Sequence, residues 1–232
     1  MINFHEKIRE ARKGRGLTQE EVAEELGLSR ASYIAIEQGK RELSVSEKEK
    51  LEGLFGVLTE GTAKDQEKYR EMILEFLTMP EFEEGIPKTK LAKLLYLADF
   101  GWFYNHLESM SGMQYRRIQY GPVPDYYFRA IEELFGEDGS TDGGFVDIQR
   151  KELDDDHVAF MVSVTRAGKV KGRELLNSDE KEFIKEVGKK WQKSRTREIV
   201  AFTHEQLPYK ICREGEIIPY VLITQEDPDR VY

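Results

Sequence analysis

The chain has 232 residues, 34% charged and 39% apolar, with a formal net charge of −9. That length suits one or two domains, and the acidity excludes a protein whose only task is to coat DNA, because non-specific affinity comes from neutralising phosphates. A single cysteine, Cys212, excludes an internal disulfide framework and fits a reducing, cytoplasmic compartment; no apolar stretch approaches bilayer-spanning length, so no membrane association of the chain is expected.

The first segment, MINFHEKIREARK, reads as the start of an amphipathic charged helix and not as a signal peptide. Residues 1–60 carry ten Lys/Arg against twelve Asp/Glu, and the remainder carries 25 against 32. The early positive charges gather at Lys7, Arg9, Arg12, Lys13 and Arg15, and again at Arg30, Lys40 and Arg41. The segment from Gly16 to Arg41 predicts two short amphipathic helices joined by a tight glycine turn. Thr18 with Glu21 forms a capping box, Val22, Ala23 and Leu26 make the apolar stripe, and Gly27 stops the first helix. Ser29 caps the second, with Tyr33 and Ile36 inward, and Gln38-Gly39 ends it. Helices this short need neighbours to share a core. The arrangement is a helix-turn-helix whose second helix can enter a major groove.

The spacing of Gln19, Ala23, Gly27, Ser29, Ile36, Glu37 and Gly39 resembles the lambda-repressor-like (XRE, Cro-type) family over residues 3–57. The resemblance implies an all-α, five-helix domain over residues 1–60, usually dimeric on operator DNA. It places Gln19 beside a phosphate or base edge. Ser29, Arg30, Ala31, Ser32 and Ala35 fall on the groove-facing side, and Gln38, Lys40 and Arg41 on the backbone. Arg30 is the one strong base reader, able to bond guanine O6 and N7 together, and Ala31 and Ala35 offer only contact to a thymine methyl. Ile34 is an odd apolar residue for a DNA-facing helix.

Leu43 to Leu58 predicts one or two further helices with Leu43, Val45, Leu51, Leu54 and Phe55 inward. The polar stretch TEGTAKDQ, residues 59–66, marks a domain boundary. Tyr69 to Met79 predicts a helix ended by Pro80. In GIPKTKLAKLLYLADFGWFYNHLE, Pro87 suits a first turn, and the apolar residues from Leu91 to Phe103 suit a central helix. Met113 and Tyr115 alternate like a short strand reaching Arg117. Tyr120-Gly121-Pro122-Val123-Pro124 reads as an ordered turn or extended corner, since two prolines remove two donors. Asp125 to Phe135 predicts a helix, and EDGSTDGG a loop. Phe145–Arg150 and Val158–Thr165 read as two strands across an Asp154-Asp155-Asp156 turn. Ser178 is read as the cap of a helix to Trp191, Arg195 to His204 as another helix, and GEIIPYVLI as one short extended run. Residues 67–232 thus predict an α+β domain, helices with a small antiparallel sheet.

No phosphate loop, GxSxG elbow or metal-ligand spacing occurs among these residues, so no catalytic residue, cofactor or metal is expected. His204-Glu205-Gln206-Leu207-Pro208 begins like a HExxH zinc helix, but Pro208 supplies no ligand and breaks a helix interior. The plain account of His204 and Glu205 is a hydrogen-bonded pair or cap at a helix end. The three aspartates lack the alternation of an EF-hand loop. Tyr115, Tyr120, Tyr126, Tyr127 and Phe128 lie within fourteen residues around a Pro-containing corner and offer rigid amphipathic area for a protein partner, although about half of such a cluster belongs in a core.

LAKLLYLADFGWFY, Gly112…Tyr115, Tyr120-Gly121-Pro122-Val123-Pro124, a Ser-Asp-Glu-capped helix and THEQLPY together resemble the Panacea (SocA-like) antitoxin domain over residues 67–212. The resemblance implies neutralisation of a toxin encoded by an adjacent gene, by direct binding or as a protease adaptor. Tyr115, Tyr120, Pro122, Tyr126 and Tyr127 are the expected toxin contacts, and the chain's acidity predicts a basic toxin surface. The expected assembly is a homodimer or a toxin–antitoxin hetero-oligomer that represses its own operon. Two alternatives stay open: a regulator whose second domain senses a ligand or dimerises, and an enzyme fused to a DNA-binding domain.

Overall fold

The computed structural model describes residues 5, 8–9, 12–13, 16–44, 46–47, 50–51, 54, 61–136, 144–154 and 157–232. Lys7, Arg15, Val45, Phe55, Asp155, Asp156 and nearly all of the EDGSTDGG loop lie outside the described residues. The chain divides into two compact units, Met1–Thr62 and Ala63–Tyr232.

In the first unit, α1 spans Gln19–Leu26 and α2 spans Arg30–Glu37. The Glu21 amide donates to Thr18 Oγ1 at 3.2 Å, and the Thr18 amide donates to the Glu21 carboxylate at 2.6 Å, so two otherwise orphaned donors are satisfied at once. Gly27 ends α1 at φ +71°, a left-handed conformation that a side chain would strain. The Ser32 amide donates to the Ser29 hydroxyl and starts α2. Val22, Ala23 and Leu26 meet Tyr33 and Ile36 in a small core closed by Ile8, Leu43 and Leu51. Helical residues flank the pair on both sides (Ile8 and Arg9, Ser46 and Glu47); a count of five helices goes beyond the described residues.

The second unit is α+β, built around one helix, with two small antiparallel sheets where the sequence predicted a single one. After α3 (Ala63–Leu77), Pro80 opens a 3-10 turn to Phe82. β1 is Ile86–Pro87, and α4 runs from Lys88 to His106. Pro87 ends β1 and stands just before the helix, not inside its first turn. From Lys90 to Trp102 every residue of α4 is buried, which makes it the hub on which the other elements pack. Asp99 on this helix accepts the Met110 and Ser111 amides and the Tyr220 hydroxyl at 2.8 to 3.1 Å, tying down the loop that follows.

β2 (Tyr115–Ile118) pairs antiparallel with β3 (Gly121–Pro124), from Tyr115↔Pro124 to Ile118↔Gly121, and also with β6 (Ile217–Ile218). The Tyr120–Pro124 segment is therefore mostly strand, and it lies at a sheet edge, where a residue without an N–H is tolerated. α5 is Tyr127–Phe135. β4 (Val146–Asp154) and β5 (His157–Val164) form the long hairpin, and β1 completes the first sheet in the order β1-β5-β4. A short α6 (Arg166–Val170) leads to α7 (Ser178–Trp191). The cap of α7 is Asn177, whose side-chain oxygen accepts the Asp179 and Glu180 amides at 2.9 Å; Ser178 is already inside the helix. α8 (Thr196–Glu205) and α9 (Leu207–Ile211) are broken at Gln206, and Pro208 sits in the first turn of α9, where its missing N–H costs nothing.

Candidate recognition surfaces

The first candidate surface belongs to α2. Arg30 and Ala31 are exposed, Ser32, Ile34 and Ala35 are half-buried, and Gln38 and Lys40 are exposed just beyond the helix. Ser29 is exposed, with its hydroxyl already engaged as the cap. Arg30 lies 3.7 Å from Glu20, an exposed pair that leaves the guanidinium largely available. Two other expected contacts are tied inward. Gln19 Nε2 donates to Glu37 at 2.8 Å, and Arg41 Nη2 donates to Glu47 at 2.8 Å. Arg41, helped by the Ser44 amide, holds the Glu47 carboxyl down at about 2.

Arg12, grouped in the sequence with the free positive charges, makes an internal ion pair. Its Nε donates to Glu37 at 2.6 Å and its Nη1 to the Leu17 carbonyl at 2.9 Å. Glu37 is only 5% exposed. Burial alone would raise its carboxyl, but the bonds from Arg12 and Gln19 outweigh that and hold it below the usual carboxylate range.

The second candidate surface is where the distant motifs of the second unit meet. Lys93, in the LAKLLY run of α4, is 2% exposed and donates from Nζ to the Pro122 carbonyl at 2.9 Å. That bond gives the edge of β3 a donor that no further strand supplies. Gly121, at φ +97°, packs so closely that a Cβ there would fall 2.9 Å from Lys93 Nζ and 3.1 Å from His204 Nε2. Only glycine allows both the backbone angle and the approach. The His204 ring stacks on Tyr209 at 4.3 Å between centroids, and the Tyr209 hydroxyl donates to the Ile118 carbonyl at 2.9 Å. Arg117 lies over the Tyr209 ring at 4.5 Å and donates to the Tyr209 carbonyl at 3.1 Å. Glu205 pairs with Lys210 and not with His204, so these neighbours are not the hydrogen-bonded pair read from the sequence.

Among the described residues no carboxylate neutralises Lys93, and burial pushes its ammonium down to about 7. His204 is also lowered, by burial first and then by the positive charges of Lys93 and Arg117. The convergence of these motifs on one point was not visible in the sequence, where Gly121 follows Lys93 by 28 residues and His204 follows Gly121 by 83.

The expected aromatic contact surface needs correction. Tyr115 packs inside against Tyr96 and Phe100, and Pro122 is buried in β3. Tyr126 and Tyr127 are buried as well; the Tyr127 hydroxyl donates to the Lys88 carbonyl at 2.6 Å, and that of Tyr126 meets Glu133 and Arg70. Each buries a large ring and finds a polar partner or ring neighbour inside, so none can serve as a surface contact in this fold. Tyr120 alone of the five is exposed, at 67%, in the turn between β2 and β3. Phe128, part of the same aromatic cluster in the sequence but not among the expected toxin contacts, is 56% exposed on α5. The signal was present: Tyr127, Ala130, Ile131 and Leu134 take the inward face, which turns Phe128 outward.

Among the described residues no group of three or more His, Cys, Asp or Glu side chains could hold a metal ion, and no helix is long and apolar enough to cross a membrane. Residues 91–209, just over half of the chain, match the family model described as antitoxin SocA-like, Panacea domain. Residues 8–60 match a helix-turn-helix model. The chain is 34% identical over 87 residues to the cryptic phage CTXphi transcriptional repressor RstR of Vibrio cholerae, an alignment covering 34% of this chain and 78% of that one. No solved structure matches.

Proposed function

Because the chain belongs to the SocA-like, Panacea-domain antitoxin family and carries the helix-turn-helix of a DNA-binding regulator, we propose that it is the antitoxin of a toxin–antitoxin pair. Its second unit binds and neutralises a toxin encoded next to it, and its first unit represses the shared operon. The reading is supported above all by one observation: within the matched region, Lys93, Gly121 and His204 converge beneath the turn that displays Tyr120. A rigid base under an exposed tyrosine is the arrangement of a preorganised interface anchor, since little side-chain or backbone freedom is left to lose on binding. Neutralisation proceeds by binding and not by catalysis. The acidic balance of the second unit suits a basic toxin.

Growth with the adjacent open reading frame under an inducible promoter, with and without this chain, tests the proposal. Arrest by the neighbour, relieved by co-expression, is the expected result. A harmless neighbour overturns it. The likeness to a phage repressor favours a second reading, a regulator without a toxin whose second unit dimerises or senses a ligand. That reading predicts operator binding and no arrest in the same assay.

A further inference from the structure

Acidity does not extend over the whole second unit. Between Lys185 and Arg197, thirteen residues hold six cations (Lys185, Lys189, Lys190, Lys193, Arg195 and Arg197) against one carboxylate, Glu186. All six are exposed, along the last turns of α7, the turn into α8 and the first turn of α8. Lys185 is 3.5 Å from Glu75, and Lys190 donates to the Tyr232 carbonyl. Lys189, Lys193 and Arg197 have no ion-pair partner among the described residues.

The turn is also held in shape. Buried Lys90 donates from Nζ to the Gln192 carbonyl at 3.0 Å and to the Ser194 carbonyl at 2.7 Å. With those carbonyls drawn inward, the side chains of Lys193 and Arg195 are displayed outward. Lys185 and Lys189 stand one turn apart on α7, a helical spacing of about 6 Å that suits successive phosphates, and Lys193 follows in the turn beyond the helix end.

The first unit makes such a surface useful. Its own cations are depleted by internal bonds: Arg12 to Glu37, Arg41 to Glu47, and Lys50 to the Leu26 carbonyl. Phosphate neutralisation supplies most non-specific DNA affinity, and a unit with ten cations against twelve carboxylates has little of it to give.

We infer that the Lys185–Arg197 surface contacts the phosphate backbone of DNA, supplying affinity that the base-reading helix lacks. The inference rests on the DNA-binding role of the first unit. The occupant is a polyanion of regular charge spacing, read by charge and not by sequence.

The test uses the full chain on two duplexes, one carrying the promoter region of its own gene and one of mixed sequence. Affinity is measured from 50 to 200 mM salt. The triple variant Lys189→Gln/Lys193→Gln/Arg197→Gln should lower the slope of log affinity against log salt by about 2–3 on both duplexes, close to one for each phosphate that is no longer neutralised. The charge-keeping pair Lys189→Arg/Lys193→Arg should retain the parental slope, which separates lost charge from a disturbed fold. Arg30→Ala should weaken the promoter duplex selectively, and it reports on the first unit alone. An unchanged slope in the triple variant, with Arg30→Ala still acting, overturns the inference and leaves the DNA-binding role intact. If that variant instead loses toxin binding, the surface belongs to an acidic protein partner and the inference is overturned. A parental chain that binds neither duplex overturns both the inference and the role on which it rests.

Discussion

Glu37 in the first unit and Lys93 in the second are both charged side chains taken almost wholly out of water, and the two units treat them oppositely. Glu37 receives Arg12 and Gln19 and stays ionised. Lys93 receives one backbone carbonyl and, among the described residues, no counter-ion, so its charge is marginal near neutral pH. A paired buried charge locks geometry at all ordinary pH values, whereas an unpaired one makes the surrounding structure sensitive to protonation. The lock lies at the C-terminal end of α2, and the sensitive group lies under the Tyr120 turn.

The comparison can be broken most strongly from the first unit. Arg12→Ala would leave Glu37 buried without its cation, and should destabilise that unit by about 3–5 kcal/mol in urea unfolding. If the loss is under about 1 kcal/mol, Glu37 is not held by this pair. In the second unit the pH dependence has a definite sign. A lysine lowered to about 7 in the fold binds fewer protons than the unfolded chain between pH 7 and about 10.4. Stability should therefore rise with pH across that window, by up to about 1.4 kcal/mol per pH unit, and be flat in this respect below pH 7. Lys93→Met should abolish the rise; an unchanged slope would assign it to another group.

Smaller effects sharpen the contrast. Gly121→Ala places a methyl against Lys93 and His204 at a positive φ, and should cost about 1–3 kcal/mol while weakening toxin binding. An alanine variant with parental melting temperature and toxin affinity would show that β3 can move aside. Tyr120→Ala is expected to leave stability within about 0.5 kcal/mol and to weaken toxin binding by about tenfold or more, read by titration calorimetry. Smallest of all, Thr18→Ala and Asn177→Ala each remove one capping box and should each lower stability by about 1 kcal/mol in their own unit. Equal losses would show that local capping acts alike where the buried charges do not.

The parts legible in the sequence were those that depend on neighbours along the chain. Thr18 with Glu21, Gly27 and Ser29 marked the two helices because caps and left-handed turns are local chemistry. The β4–β5 hairpin followed from alternation across a polar turn, and the length of α4 from a broad apolar face. Asn177 caps α7 where the sequence pointed to Ser178, because both residue types cap helices and they stand side by side. The Tyr120–Pro124 corner was placed correctly as extended, yet its pairing as an edge strand depended on β2 lying beside it.

The candidate sites were less legible, because burial is decided by packing. Tyr115, Tyr126 and Tyr127 have the composition of an interface and the location of a core; composition cannot tell these apart when both favour large rings. Arg12 reads as a free cation until Glu37, twenty-five residues away, is folded against it. The sequence by itself determined the helix-turn-helix, the α+β character of the second unit and the acidic balance, since these rest on short-range periodicity and on charge counts. Only the tertiary structure decided which aromatic residues stay exposed, which cations are engaged internally, and that Lys93, Gly121 and His204 meet, because each depends on segments remote in the chain closing upon one another.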